Sequence, residues 1–95
     1  MADHSERDRL IADVLKETLA PVAIRSVRVA EAEGFYGDPA YHIEVILDDD
    51  AQVVSPEKAI AAMERIREAL ARHGHEDRLP LLTFLSPEEA EHAAA

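Results

Sequence analysis

The amino-acid sequence predicts a small α+β domain with the element order α-β-β-α-β-α. Apolar residues recur at helical spacing after residue 5 and again after residue 55. Apolar and polar residues alternate over residues 40–48, as in a half-buried strand. Ser-Pro-Glu occurs at 55–57 and at 86–88, and this sequence is typical of a helix start. We expect a three-stranded mixed sheet with the helices packed on one face.

The helices are predicted from their apolar stripes and from residues that favour helix ends. Helix one begins at residue 5 and ends before Pro21, which pushes the preceding residue out of the α region. Its stripe is Leu10, Ile11, Val14, Leu15 and Leu19. Helix two runs from Ser55 to Gly74, a residue type that commonly ends helices. Its predicted buried stripe is Ala59, Ile60, Met63, Ile66 and Leu70. A short third helix follows Ser86.

The strands are predicted over residues 22–32, 40–48 and 79–85. Strand one alternates imperfectly. The face with Val27 and Val29 is predicted to be the core side and also carries Arg25 and Glu31, and the other face carries Ile24, Ser26, Arg28 and Ala30. Strand two has one face made of Tyr41, Ile43, Val45 and Leu47 and another made of His42, Glu44, Ile46 and Asp48. Because helix two lies between strands two and three, these strands should be parallel.

Length and composition indicate one domain spanning residues 1–95. The chain contains no repeat or linker, and residues 1–4 and 92–95 are expected to fray. Its hydrophobic fraction is 47%, but much of this is Ala and only 4% of the residues are aromatic. A core of this kind gives a net stability on the order of 5 kcal/mol. Dimerisation would bury more apolar surface, so we expect a homodimer.

The charge balance favours a basic protein partner over nucleic acid or an anionic membrane. Twenty acids against ten bases give a formal charge of -10, which would repel phosphates. The lack of cysteine excludes disulfides, thiolate metal sites and cysteine nucleophiles, and it fits a reducing cytosol. The first residues lack the apolar core of a signal peptide. No apolar run approaches the roughly 20 residues of a membrane helix, so we expect a cytoplasmic protein.

Acids dominate the predicted hairpin and the loop that follows it. Between Arg28 and Lys58 there is no Lys or Arg, whereas eight acids fall in the same stretch. Two aromatic residues lie in the turn between strands one and two, where they either fold back on the sheet or contact a partner. The candidate partner-binding residues are Phe35, Tyr36, Asp48, Asp49 and Asp50.

Two clusters of His and acidic residues are candidate metal sites. The first is His42, Glu44 and Asp48 on one face of strand two, and the second is His73, His75 and Glu76 at the end of helix two. The alternative for the first cluster is an ordinary solvent-facing strand face. The alternative for the second is the favourable interaction of His73 with the helix dipole. We recognise no catalytic motif and predict no cofactor, with a divalent metal as the open possibility.

Several segments resemble a group of short bacterial proteins. The matching pieces are residues 38–39, 41–46, 66–70, 74–77 and 79–86, and the resemblance implies no established activity. The chain also distantly resembles the minimal nucleotidyltransferases of toxin–antitoxin operons. His42-Ile43-Glu44 stands where that family has Asp-x-Asp, and Ala32-Glu33-Gly34 where it has Gly-Ser. Because that chemistry needs two carboxylates for two metal ions, the resemblance implies a degenerate site.

These features lead to one main hypothesis and two alternatives. The main hypothesis is an acidic, non-enzymatic interaction or regulatory module that acts as a dimer and uses its sheet edge and acidic hairpin to bind a protein partner. The alternatives are a metal-binding regulator and a degenerate nucleotidyltransferase-like protein.

Overall fold

The structure, a computed structural model, contains six elements in the predicted order α-β-β-α-β-α. It describes residues 5–34, 36–48, 54–74 and 78–94. The elements are α1 (Ser5–Leu19), β1 (Ile24–Glu33), β2 (Pro39–Leu47), α2 (Pro56–Arg72), β3 (Leu79–Leu85) and α3 (Pro87–Ala94). The sheet has the order β1-β2-β3, with β1 antiparallel and β3 parallel to β2. The predicted α+β class and mixed sheet are confirmed.

The main core lies between the sheet and the pair of helices α1 and α2. On the central strand β2, Ile43 and Val45 are fully buried beneath the two helices. The helices bring Ile11, Leu15, Leu19, Ala62, Ile66 and Leu70 to the same core. The alternation of β2 thus sets which face of the sheet the helices cover.

The second face of the sheet is covered only near the carboxyl ends of β2 and β3. Ile46 points to this face yet is only 2% exposed, and α3 contacts β2 and β3. The helix begins with the predicted capping box: the Ser86 hydroxyl accepts the Glu89 N–H at 3.1 Å, and the Glu89 carboxylate accepts the Ser86 N–H at 3.0 Å. α3 therefore covers Ile46 and lies on the face opposite α1 and α2, whereas the sequence predicted all helices on one face. Elsewhere on this second face, here called the open face, Ala30, His42 and Leu81 are exposed.

Strand β1 differs from the predicted one in its start and in its early alternation. Val22 donates its N–H to Leu19 at 2.9 Å, so it closes the turn after α1 and does not belong to the strand. The register with β2 shifts between Ile24 and Ser26, which is a β-bulge. The bulge lets Ile24 pack against the core, whereas Arg25, predicted on the core side, is exposed.

Helix α2 corrects part of the predicted buried stripe. Ile60 and Met63 are exposed, at 54% and 36%, whereas Ala62, Ile66 and Leu70 are buried. At 3.6 residues per turn, Ile60 lies about 120° around the helix from Ile66 and so misses the sheet. The stripe predicted from the sequence was wider than the face that the sheet and α1 cover.

No helix in the described ranges has the length and hydropathy needed to span a bilayer.

Candidate functional site

The first predicted metal cluster is spread along β2. His42 lies on the open face, where its Nε2 is 3.1 Å from the Thr83 hydroxyl. Glu44 is two residues further on the same face and is half-buried. Asp48 is six residues from His42, which corresponds to about 20 Å along a strand. Its carboxylate accepts a hydrogen bond from Arg25 at 3.2 Å, so the three predicted ligands do not surround one point.

The second predicted cluster begins at the carboxyl end of α2. His73 caps this helix, and its Nδ1 lies 4.0 Å from a carboxylate oxygen of Glu6 on α1. This position is in the helix layer, across the sheet from His42, so the described histidines of the two clusters, His42 and His73, do not converge. His75 and Glu76 lie outside the described residues. Within the ranges that the structure describes, no three His, Asp or Glu residues are grouped to hold a metal ion.

The turn between β1 and β2 presents one aromatic residue to solvent. Tyr36 is 92% exposed, while Phe35 lies outside the described residues. The turn is closed by the Gly34 N–H to the Asp38 carbonyl at 2.8 Å and by the Gly37 N–H to the Gly34 carbonyl at 3.1 Å. Gly37 has φ +77, a conformation that favours glycine. Tyr36 thus projects from a hydrogen-bonded turn.

The acids of the hairpin divide between its two ends. Glu33 and Asp38 are exposed beside Tyr36, and these three residues are here called the hairpin tip. Asp48 lies at the other end of β2, and its predicted companions Asp49 and Asp50 fall outside the described residues. Among the described residues, Asp48 is therefore separated by the length of β2 from the acids of the hairpin tip.

Two arginines that the sequence reasoning passed over stack on Tyr41. The guanidinium of Arg7 is 4.9 Å from the ring centroid and that of Arg78 is 5.9 Å away. Arg7 is 5% exposed and pairs with Asp8 at 2.9 Å. The sequence does indicate this burial, because Arg7 lies one helical turn before Ile11 and so falls on the stripe of α1 that faces the sheet.

Arg78 bridges the two strands of the hairpin close to its turn. Its Nη1 donates to the carbonyls of Ala32 and Ala40 at 3.1 and 3.2 Å, on the two paired strands. Its Nη2 lies 3.5 Å from Glu31. These contacts occupy the side chain with structural partners and leave it no evident catalytic role.

The outer edge of β3 is flanked by most of the large exposed apolar residues among those that the structure describes. The sequence predicted a sheet edge as a binding surface but not which strand provides it. Among the strands in the described ranges, β3 pairs only with β2, so its other side is a sheet edge that no described strand occupies. Exposed apolar residues flank this edge, with Leu79 and Leu81 on the open face and Ile60 and Met63 on α2. These four residues are here called the β3 edge surface.

A groove of about 390 Å³ between α1 and α2 is lined largely by charged residues. The charges on its rim pair with each other, as in Glu17 with Arg65 at 3.4 Å and Glu68 with Arg72 at 3.6 Å. The groove therefore presents no uncompensated charge from these four residues to a ligand.

Comparisons with known proteins give no family for this chain. No protein-family model matches it, and no curated protein matches it significantly. Among solved structures, the amide bond synthetase McbA from Marinactinospora thermotolerans is similar with a TM-score of 0.48, and a mutant of that enzyme with 0.44. The identity is 18% in both, over 92% of this chain, and the chain spans 17% of the length of that enzyme. A likeness this distant supports no statement about the activity of this chain.

Proposed function

We propose that this chain is a non-enzymatic protein-interaction module that acts as a cytoplasmic dimer and binds a partner with a basic surface. The observation that carries the proposal is the hairpin tip, where a 92% exposed tyrosine stands between two exposed acids. Within the described ranges, neither Glu33 nor Asp38 has an ion-pair partner. The tip therefore offers both apolar contact area and uncompensated negative charge.

The chemistry of the tip suits recognition of a basic protein. Tyrosine provides a large contact area with few rotatable bonds and is enriched among residues that dominate binding energy. Carboxylates around it steer a positively charged partner and accept hydrogen bonds from Lys or Arg. Such binding weakens as salt is added, because exposed charges are screened over about 8 Å at physiological ionic strength.

The metal-binding and nucleotidyltransferase alternatives have less support. His42 and His73 lie on opposite sides of the sheet, and Asp48 pairs with Arg25 at 3.2 Å. Glu44 stands without the second carboxylate on its strand that two-metal chemistry would need.

Site-specific photo-crosslinking tests the hairpin tip. A crosslinking amino acid placed at position 36 should capture a defined basic protein from cell extract, whereas the same group at exposed Ala61 on α2 should not. The captured protein is then purified, and its dissociation constant is measured against the wild type, Tyr36→Ala and the control Glu91→Gln on α3. We expect Tyr36→Ala to weaken binding about tenfold, or about 1.4 kcal/mol, and Glu91→Gln to leave it unchanged.

Two results would count against the proposal. One is equal capture from positions 36 and 61, which would indicate non-specific adhesion to an acidic protein. The other is a dissociation constant that Tyr36→Ala leaves unchanged. Sedimentation velocity over a range of concentrations tests the dimer separately, and a monomer at every concentration would remove that part of the proposal.

A further inference from the structure

We infer that two copies of this chain associate through the β3 edge surface, with β3 of one copy antiparallel to β3 of the other about a two-fold axis. The result is a continuous six-stranded sheet with the two copies of α2 side by side. This inference rests on the dimer in the proposed function and assigns its interface. A second copy is the occupant because the surface is complementary to itself, as a two-fold interface requires.

The two edges of the sheet differ in how well they are protected from pairing. β1 carries four charged residues, Arg25, Arg28, Glu31 and Glu33, and a bulge near one end. Charges and bulges are the usual features that prevent one sheet edge from pairing with another. β3 has the sequence LPLLTFL and contains no charged residue. The free edge of β3 is therefore the one open to another strand.

The exposed apolar side chains of α2 lie beside this edge. Arg67 and Ala71 line a small cavity together with Leu79, which places this flank of the helix next to β3. At 3.6 residues per turn, Ile60 and Met63 lie on the same flank as Arg67. The β3 edge surface thus provides apolar contacts on both sides of the strand, from the open face and from the helix layer.

Charges on this flank of α2 are matched for contact between two copies. Glu64 and Arg67 are both exposed, and neither has an ion-pair partner in the ranges that the structure describes. In a two-fold arrangement the helices run antiparallel, and this flank of α2, which carries both an acid and a base, lies against the same flank of the other copy. The exposed arginine on each flank offsets part of the repulsion between chains of formal charge -10.

The size of the surface indicates a weak, reversible dimer. β3 has 7 residues and α2 has 17, which correspond to lengths of about 23 Å and about 25 Å. One strand and one helix together are about 20 Å thick, so the contact covers roughly 500 Å² per copy. Specific interfaces average about 800 Å² per partner, and smaller ones are typical of transient contacts. We therefore expect a dissociation constant on the order of 100 µM that decreases as salt screens the net repulsion.

Pro80 limits the part of β3 that can pair with a second copy. Pro80 has no N–H to donate, so residues 81–85 form the pairing segment. The two-fold axis then lies near Thr83, at the centre of this segment. Thr83 of one copy should be close to Thr83 of the other.

Single-cysteine crosslinking tests this geometry, because the chain contains no cysteine of its own. Leu81→Cys and Thr83→Cys are compared with Ala30→Cys, an exposed position on the same face of β1. At about 100 µM protein, where the dimer is populated, we expect a short bifunctional thiol reagent to link Leu81→Cys and Thr83→Cys into dimers and to leave Ala30→Cys monomeric. Covalent dimers from Ala30→Cys but not from the β3 variants would overturn the assigned interface while leaving a dimer in place.

A matched pair of charge substitutions on α2 gives an independent test. Met63→Glu adds an acid on the flank beside β3, and Ala61→Glu adds the same charge on the opposite flank. We expect Met63→Glu to raise the dissociation constant at least tenfold in sedimentation experiments and Ala61→Glu to change it by less than threefold. Equal effects would overturn the inference. A wild-type monomer at all concentrations would overturn both the inference and the proposed dimer, while partner binding at Tyr36 would still be measured separately.

Discussion

Two isoleucines on α2 provide a matched test of which side of this helix is buried. Ile66 is fully buried in the core, whereas Ile60 is 54% exposed on the β3 edge surface. We expect Ile66→Ala to destabilise the monomer strongly and Ile60→Ala to have almost no effect. Both substitutions change the same residue type in the same helix, so the gain in helix propensity is common to both.

The expected magnitudes follow from burial. Replacing a buried Ile by Ala costs about 2–5 kcal/mol, because the transfer energy is lost and a cavity remains. Since Ile66 has no exposed surface and lies between α1 and β2, we expect about 3 kcal/mol for its loss. Ile60→Ala should stay within about 0.5 kcal/mol, as is usual for exposed positions.

Urea unfolding followed by circular dichroism measures both values. The protein is used at about 1 µM, far below the expected dissociation constant, so that the dimer does not contribute to stability. With a slope near 1.5 kcal/mol/M, Ile66→Ala should lower the midpoint by about 2 M. A loss for Ile60→Ala as large as that for Ile66→Ala would show that Ile60 belongs to the core, and the β3 edge surface would then lack one of its four residues.

Three further predictions follow from single contacts. Ser86 holds the pKa of Glu89 below its ordinary value of 4.5, first through its backbone N–H and then through its hydroxyl. The cap therefore stabilises α3 fully above pH 4.5, and this stabilisation is lost as the pH falls through the lowered pKa. Ser86→Ala should raise that pKa partway towards 4.5 in an NMR titration, and an unchanged pKa would contradict the capping geometry. Arg78→Met should destabilise the domain by about 1–3 kcal/mol in urea unfolding, because two strand carbonyls lose their donor, and no loss would contradict the bridging role. If Zn²⁺ binds at all, the rings of His42 and His73 should saturate independently in NMR titrations, and a shared saturation curve would contradict their placement on opposite sides of the sheet.

Local sequence patterns were sufficient to predict most of the fold. The alternation of β2 correctly separates Ile43 and Val45 from His42 and Glu44, because one face of the strand is buried and the other is not. The capping box at Ser86 and the parallel β3 were also predictable, since each depends on neighbours in sequence or on a crossover helix.

Features that depend on tertiary packing were not predictable in this way. Ile46 stood among polar residues, and only the position of α3 explains its burial. The bulge at β1 changed the face of Ile24, because a register shift depends on the partner strand. Ile60 and Met63 were placed in the core because the width of the covered face depends on how α1 and the sheet meet α2.

The candidate sites show the same limit. Residue types suggested metal ligands at His42, Glu44 and Asp48. Residues that share one face of a strand can still lie too far apart to bind one ion, as His42 and Asp48 do. Conversely, the free edge of β3 is defined by what does not pair with it, which a single sequence does not show. Its lack of charge could have been noticed, since uncharged strands are unusual at sheet edges.

Hydrogen exchange of the β3 backbone tests most directly the claim that this edge is an interface. Amides of residues 81–85 that point away from β2 should exchange rapidly at 1 µM protein, where the monomer predominates. They should become protected at about 1 mM, where the dimer forms, while amides at the outer edge of β1 keep the same rate. Identical exchange of residues 81–85 at both concentrations, or new protection confined to β1, would contradict the account.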